Sequence, residues 1–122
     1  MDLDPNNPVI KLCMEGRQAE FLGQIDRAQS LHQEAWAAAQ DDFEASIAAH
    51  YVARHQDSHQ KRLYWNQVAL DKAQAVADQR VADFYPSLLV NMGQSYELLG
   101  DSTAARRYYD LAAKMGVFHQ DE

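Results

Sequence analysis

The stretch 89–112, LVNMGQSYELLGDSTAARRYYDLA, predicts two helices joined by a tight turn. Gly100 and Asp101 mark that turn, because glycine readily ends a helix and aspartate caps the start of the next one. The helix before the turn carries apolar residues along one face, at the helical spacing of Phe84, Leu88, Met92 and Tyr96. This part of the chain is therefore expected to form a helical hairpin.

Small and large residues recur at fixed offsets in the same stretch: Leu89, Met92, Gly93, Tyr96, Gly100, Ala105, Tyr109 and Ala112. This pattern resembles the consensus of a tetratricopeptide repeat, a helix–turn–helix unit of about 34 residues. The resemblance implies that Gly93 lets the two helices approach closely. It also implies that Ala105 and Ala112 fit at this contact while the larger residues fill the space around it.

The pattern recurs twice closer to the N-terminus. A first copy departs at Glu15 and His32 and matches at Leu12, Gly16, Ala19, Leu22, Gly23, Ala28 and Ala35. A middle copy has Lys61 where a small residue is expected and fits at Ala45, Ala48, Ala49, Val52, His55, Trp65 and Val68. The first two copies lie 33 residues apart and the last two 44, so about ten extra residues lengthen the helices between them. The resemblance covers nearly the whole chain.

Composition agrees with a helical fold, since alanine and glutamine are abundant and strand-like alternation of β-branched residues is absent. We expect an all-α domain over 8–116, with an irregular lead-in at 1–7 and a tail at 117–122. The resemblance implies three antiparallel helix hairpins stacked as a right-handed α-α superhelix, or solenoid. The predicted helices span 8–22, 26–40, 41–54 with a capping box of Asp41 and Glu44, 59–79, 81–99 and 102–115. Pro86 predicts either a kink in the fifth helix or a true start near itself.

The charge of the chain disfavours two classes of partner. Its net charge is −7 at pH 7, and its basic residues are scattered, so neither a nucleic acid nor an anionic membrane is an expected partner. Cys13 is the only cysteine and has no internal disulfide partner. The N-terminus lacks the basic and apolar regions of a signal peptide, and no apolar run approaches the ~20 residues of a membrane span. We therefore expect a cytoplasmic protein.

Candidate chemistry is sparse. His50, His55 and His59 lie close in sequence, and a spacing of four can chelate a metal on one helical turn, but the predicted turn falls between His55 and His59. The favoured interpretation is polar turn histidines with His50 facing the groove. There is no phosphate-binding glycine loop and no nucleophile elbow, while Asp41 and Asp42 fit a helix cap. We expect no cofactor, no metal and no enzymatic activity.

The resemblance also implies a binding surface. In tetratricopeptide repeats the first helix of each pair lines a concave groove, and variable positions on it select the partner. Those positions are Ile10, Cys13, Arg17, Glu20 and Phe21 in the first copy, Phe43, Ser46, His50 and Arg54 in the second, and Ser87, Val90, Asn91, Gln94, Glu97 and Leu98 in the third. The clamp that grips a peptide carboxylate in some members is absent, because its positions hold Cys13, Arg17, Ile47, Ser87 and Asn91.

The leading functional hypothesis is a non-enzymatic module that binds a peptide or protein segment in this groove. Arg17, Arg54 and His50 are expected to form a positive strip there for acidic side chains of the partner; alternatively, Glu20 and Glu97 neutralise it. A solvated face without a partner is the simpler interpretation. A small-molecule or metal sensor that uses the region from His50 to His59 is a second class of function. A transferase, the third, needs a cofactor loop that is not found.

The C-terminal hairpin predicts self-association. Solenoids normally end in a polar capping helix, but only residues 119–122 follow Phe118. Leu111, Met115 and Phe118 therefore lack a cover on the last helix unless a second chain supplies it. A symmetric homodimer through this hairpin is expected.

Overall fold

Seven α-helices make up the regular secondary structure of residues 4–76, 79–82 and 84–115, which are the residues described by this computed structural model. They are α1 (Pro8–Phe21), α2 (Ile25–Ala38), α3 (Asp42–Ala53), α4 (His59–Val76), the single turn α5 (Gln79–Ala82), α6 (Tyr85–Leu98) and α7 (Ser102–Lys114). No strand occurs in those ranges, so the all-α prediction is confirmed. The predicted tail, 117–122, lies outside them.

Side-chain caps fix where three helices begin. Asn7 accepts hydrogen bonds from two backbone N–H groups in the first turn of α1. Asp41 accepts the N–H of Glu44 at 2.8 Å, and the Glu44 carboxylate accepts the N–H of Gln40 at 2.9 Å. This is the predicted capping box of α3, except that the Glu44 carboxylate binds the N–H of Gln40, one residue before the cap residue Asp41. Asp101 caps α7 as predicted, and its carboxylate accepts the N–H of Ala104 at 3.0 Å.

Glycine and proline set the remaining boundaries. Gly23 (φ 77°) and Gly100 (φ 82°) adopt the left-handed conformation just after α1 and α6, where a side chain would be strained. Pro86 lies in the first turn of α6, because a residue without an N–H is tolerated there and not in a helix interior. The alternative of a true start near Pro86 is therefore confirmed. The predicted continuous helix from 81 is wrong, since α5 and α6 are separate.

Helices that follow one another in the chain pack in pairs. α1 contacts α2, α3 contacts α4 and α6 contacts α7, each across a short connection that makes the two helices antiparallel. The first pair then packs against α3, and α4 packs against α6. A buried hydrogen bond of 2.8 Å from Asn66 to Ser95 joins α4 to α6. The three hairpins thus contact one another in chain order.

The first helices of the three hairpins run parallel, side by side. The start of α1 is tied to the start of α3 by a 2.8 Å hydrogen bond from Asn7 to Glu44. The start of α3 meets the start of α6 through the rings of Phe43 and Phe84, whose centroids are 6.4 Å apart. Further along, a contact between His50 and residue 91 joins the same two helices. Side chains therefore join the first helices of neighbouring hairpins, α1 to α3 and α3 to α6.

Most of the core lies at the two junctions of neighbouring hairpins, and a small third cluster of Ala19, Ala28 and Leu31 lies inside the first hairpin. One cluster lies between the first and second hairpins and includes Val9, Ile10, Cys13, Ala35, Ile47, Ala48 and Tyr51. A larger cluster lies between the second and third and includes Ala49, Leu70, Ala73, Leu88, Leu89, Met92 and Ala112. α3 contributes to both, and 8 of its 12 residues are buried. Within the described ranges, no helix has the length and apolar character needed to cross a bilayer.

Two glycines lie where the helices of a hairpin touch. A side-chain carbon added at Gly93 would lie 2.5 Å from Cε1 of Tyr109, and one added at Gly16 would overlap the His32 ring. The predicted close approach at Gly93 is therefore observed. The first hairpin makes the equivalent contact, with an imidazole in place of the phenol ring.

Candidate functional site

The Glu20 carboxylate, near the end of α1, is the centre of a polar cluster between the first two hairpins. Its side chain is only 13% exposed. Arg54, which directly follows α3, donates Nε to Oε1 at 3.1 Å and Nη2 to Oε2 at 2.8 Å. The Nε2 atoms of His55 and His32 lie 2.9 and 3.7 Å from Oε1. Burial alone would raise the pKa of Glu20, but the hydrogen bonds and positive charge of Arg54, together with the nearby His55 imidazole, outweigh it and lower that pKa.

The His32 imidazole, on α2, is enclosed by this cluster and is 1% exposed. Its ring centroid lies 5.3 Å from that of Tyr51 and 5.8 Å from that of His55, and the two imidazole planes are nearly parallel. Neither nitrogen of His32 makes a hydrogen bond with a described residue. Burial lowers the pKa of His32, and Glu20 only partly opposes this. The ring is therefore neutral at pH 7 and keeps one nitrogen lone pair available.

Ring contacts extend from His32 through Tyr51 to His50, and His50 in turn contacts α6. The ring of His50 packs edge-on against Tyr51 with centroids 5.0 Å apart, and its Nδ1 accepts a hydrogen bond from the Asn91 amide at 3.3 Å. Burial lowers the pKa of His50 to about 4, and the positive charge of Arg54 acts in the same direction. His50 is therefore neutral at physiological pH.

An open cleft lies beside His32 and His55, between α2 and the turn that joins α3 to α4. Its volume is about 760 Å³. Polar side chains make up most of its wall, among them Gln29, Gln33, Glu34, Gln56, Asp57 and Lys61. Water and small solutes can therefore reach the edge of the polar cluster.

The structure divides the eight predicted groove residues into two sets. Glu20 pairs with Arg54 and His50 pairs with Asn91, so these four connect neighbouring first helices. The other four are exposed: Arg17, Phe21, Gln94 and Glu97.

The predicted positive strip does not have the expected charge. His50 is neutral, and Arg54 is paired with a carboxylate. The alternative, neutralisation by Glu20, holds for Arg54. Arg17 is exposed, and its positive charge acts on the nearby Tyr51 phenol and partly opposes the rise in the Tyr51 pKa that burial causes.

Sequence reasoning missed His32 as a polar group of the site, because its repeat position indicated packing alone. It considered His55 and His59 as possible metal ligands four residues apart, and favoured polar turn histidines instead. His59 instead begins α4 and is exposed, whereas His55 joins Glu20 and His32. One feature of the sequence could have identified His32: it is a histidine at a repeat position that is expected to be buried. Buried histidine nitrogens need partners, so such a residue indicates a polar site.

Comparison with profiles of known protein families, with curated proteins and with solved structures finds no match to this chain. The resemblance to tetratricopeptide repeats consequently rests on the residue pattern of the chain itself.

Proposed function

We propose that this chain is a non-enzymatic interaction module of tetratricopeptide type, which binds an extended or helical segment of a protein partner. The binding surface is the face formed by α1, α3 and α6. In this proposal the three hairpins are repeats of one solenoid, and the first helix of each contributes to a shared groove.

The observation that supports this proposal is the parallel array of first helices, tied together by side chains at groove positions. Glu20 and Arg54 connect the end of α1 to the end of α3, and His50 and Asn91 connect α3 to α6. A surface braced in this way keeps its shape before a partner arrives. Pre-organisation lowers the entropic cost of binding, so a braced groove suits recognition of a flexible segment.

The exposed residues of this surface indicate which contacts the partner makes. Phe21 is 90% exposed, and large aromatic rings of this kind commonly anchor protein interfaces. Arg17 offers a guanidinium to a partner carboxylate, and Gln94 and Glu97 offer polar contacts from α6. A segment with an apolar anchor and at least one acidic side chain fits this combination.

Site-specific photo-crosslinking tests the proposal. A photoreactive phenylalanine replaces Gln94 on α6 in one variant and Gln60 on α4 in the other, since both glutamines are exposed. After irradiation in the native host, we expect a discrete adduct from position 94 and none from position 60. The captured protein is then purified and titrated calorimetrically, and Arg17→Glu should weaken its binding at least tenfold.

Two outcomes contradict this assignment. Equal adducts from positions 94 and 60 would place the binding surface elsewhere. Undiminished affinity of the purified partner for both Arg17→Glu and Phe21→Ser would show that the exposed residues of α1 make no contact with it. Melting curves of the variants serve as the control, because both substituted side chains are exposed and should add little to stability.

A further inference from the structure

We propose that Glu20, His32 and His55 form a zinc site whose fourth coordination position opens toward the cleft beside α2. The site shares Glu20 with the groove positions but does not depend on the proposed function. Two imidazoles and one carboxylate are a donor set that Zn²⁺ favours, and three protein ligands with one open position are a common arrangement for accessible zinc.

The spacing of the donor atoms supports the site. One ligand atom from each residue lies within 4.8 Å of the other two. Nε2 of His55 and Nε2 of His32 are 2.9 and 3.7 Å from Oε1 of Glu20. Ligands about 2.0–2.2 Å from a tetrahedral zinc ion lie roughly 3.3–3.6 Å from one another. Side-chain shifts of about an ångström therefore bring the three atoms to coordination distance.

The unpaired ring nitrogens are an independent observation that points to a ligand. His32 is almost fully buried, lines the cleft, and makes no hydrogen bond through either nitrogen with a described residue. Nε2 of His55 approaches Glu20 closely but without the alignment of a hydrogen bond. Buried polar atoms are normally satisfied, so the two nitrogens of His32, which have no hydrogen-bond partner among the described residues, call for a partner of another kind. A metal ion accepts the lone pairs of both rings.

Arg54 occupies the position of an outer-shell partner. Its Nη2 holds Oε2 of Glu20 at 2.8 Å, which orients the carboxylate. Oε1 of Glu20 also accepts Nε of Arg54 at 3.1 Å. Each carboxylate oxygen has two lone pairs, so Oε1 can bind the ion through its second lone pair while both Arg54 hydrogen bonds remain. The ligands come from α1, α2 and the turn between α3 and α4, so the ion would tie the first hairpin to the second.

Calorimetric titration of Zn²⁺ into chelator-treated, untagged protein at pH 7.5 tests the site. We expect one ion per chain and a melting temperature that rises with zinc, because an ion that binds only the folded state stabilises it. His55→Gln should weaken binding at least tenfold and remove the melting shift. His59→Gln is the matched control: it removes an exposed histidine four residues away and should change neither measurement. Co²⁺ in place of zinc should give the visible absorption of a tetrahedral complex.

The second ligand variant is His32→Phe, which keeps an aromatic ring against Gly16 as Tyr109 does against Gly93. It should also lose at least tenfold in affinity. If it fails to fold by circular dichroism, His55→Gln decides, since that side chain lies in a turn and is 19% exposed. The proposal is overturned by wild-type protein without saturable one-to-one binding. Unchanged affinity in His55→Gln, or an equal loss in His59→Gln, would also overturn it.

Discussion

Replacement of Gly93 by alanine tests the contact on which the third hairpin is built. A β-carbon at this position would lie 2.5, 2.7 and 2.9 Å from Cε1, Cδ1 and Cζ of Tyr109. Carbon atoms in favourable contact are about 3.5–4.0 Å apart, so the ring must move by about an ångström. A phenol ring is rigid and cannot yield as the end of a flexible chain would. The two helices of the hairpin therefore separate or the ring leaves its place.

The magnitude follows from two opposing contributions. Overpacking of a filled contact costs about 1–3 kcal/mol, and alanine regains about 1 kcal/mol over glycine in a helix interior. The difference between them predicts that Gly93→Ala lowers the free energy of unfolding by up to about 2 kcal/mol. For a chain of this size that corresponds to a fall in melting temperature of up to roughly 10 °C. Gly93→Leu should cost about 3–5 kcal/mol, the range seen when a buried aromatic ring loses its packing.

Urea denaturation followed by far-ultraviolet circular dichroism measures both variants. The decisive measurement is a double-mutant cycle with Tyr109→Ala, which removes the ring. Without the ring, helix propensity alone remains, so Gly93→Ala should stabilise the Tyr109→Ala protein by about 1 kcal/mol. A Gly93→Ala substitution that stabilises the wild-type chain as much as it stabilises the Tyr109→Ala chain would refute the close contact.

Three further predictions concern reactivity, pH and assembly. Cys13 is fully buried, and burial raises its pKa to about 12. Thiol reagents should therefore modify the folded chain at least a hundredfold more slowly than the unfolded chain, and equal rates would contradict the buried position of this thiol. Burial lowers the pKa of His50 to about 4, so between pH 6.5 and 4 the unfolded chain binds a proton that the folded chain does not, and stability falls as the pH falls. His50→Gln should reduce the slope of the unfolding free energy against pH by at most about 1.4 kcal/mol per pH unit. An unchanged slope would count against the burial of His50. Leu111, on α7, and Met115, directly after it, are exposed apolar side chains that a second chain can cover. Light scattering at tens of micromolar should therefore give twice the 13.9 kDa mass of one chain, and glutamate at both positions should restore the monomer. A wild-type monomer would exclude the dimer.

Local physical chemistry made most helix boundaries predictable. The Asp41 and Glu44 arrangement, Gly23 and Gly100 each act within a few residues of their own position, so their effects can be seen in the sequence. Pro86 left two alternatives because the choice between a kink and a new helix depends on packing. α4 packs against α6, and α5 and α6 are two separate helices rather than one long kinked helix.

The polar cluster was harder to predict because its members are distant in sequence. Glu20 and Arg54 were identified as groove residues, but sequence alone could not decide whether they face a partner or each other. Their pairing depends on how the first hairpin docks on the second. His32 was assigned to packing for the same reason, since its contacts with Glu20 and His55 exist only after three helices meet.

The burial of α3 has a consequence for how the chain unfolds. Linear repeat proteins often lose terminal repeats one at a time, because each repeat touches only its neighbours. Here the middle hairpin contributes its first helix to both hydrophobic clusters, and little of that helix faces water. Loss of either end would expose the buried, alanine-rich part of α3 to water, and the middle hairpin is poorly suited to remain folded alone. The molecule should therefore unfold in one cooperative transition. A substitution that destabilises the first hairpin should also change the rate of hydrogen exchange in the third.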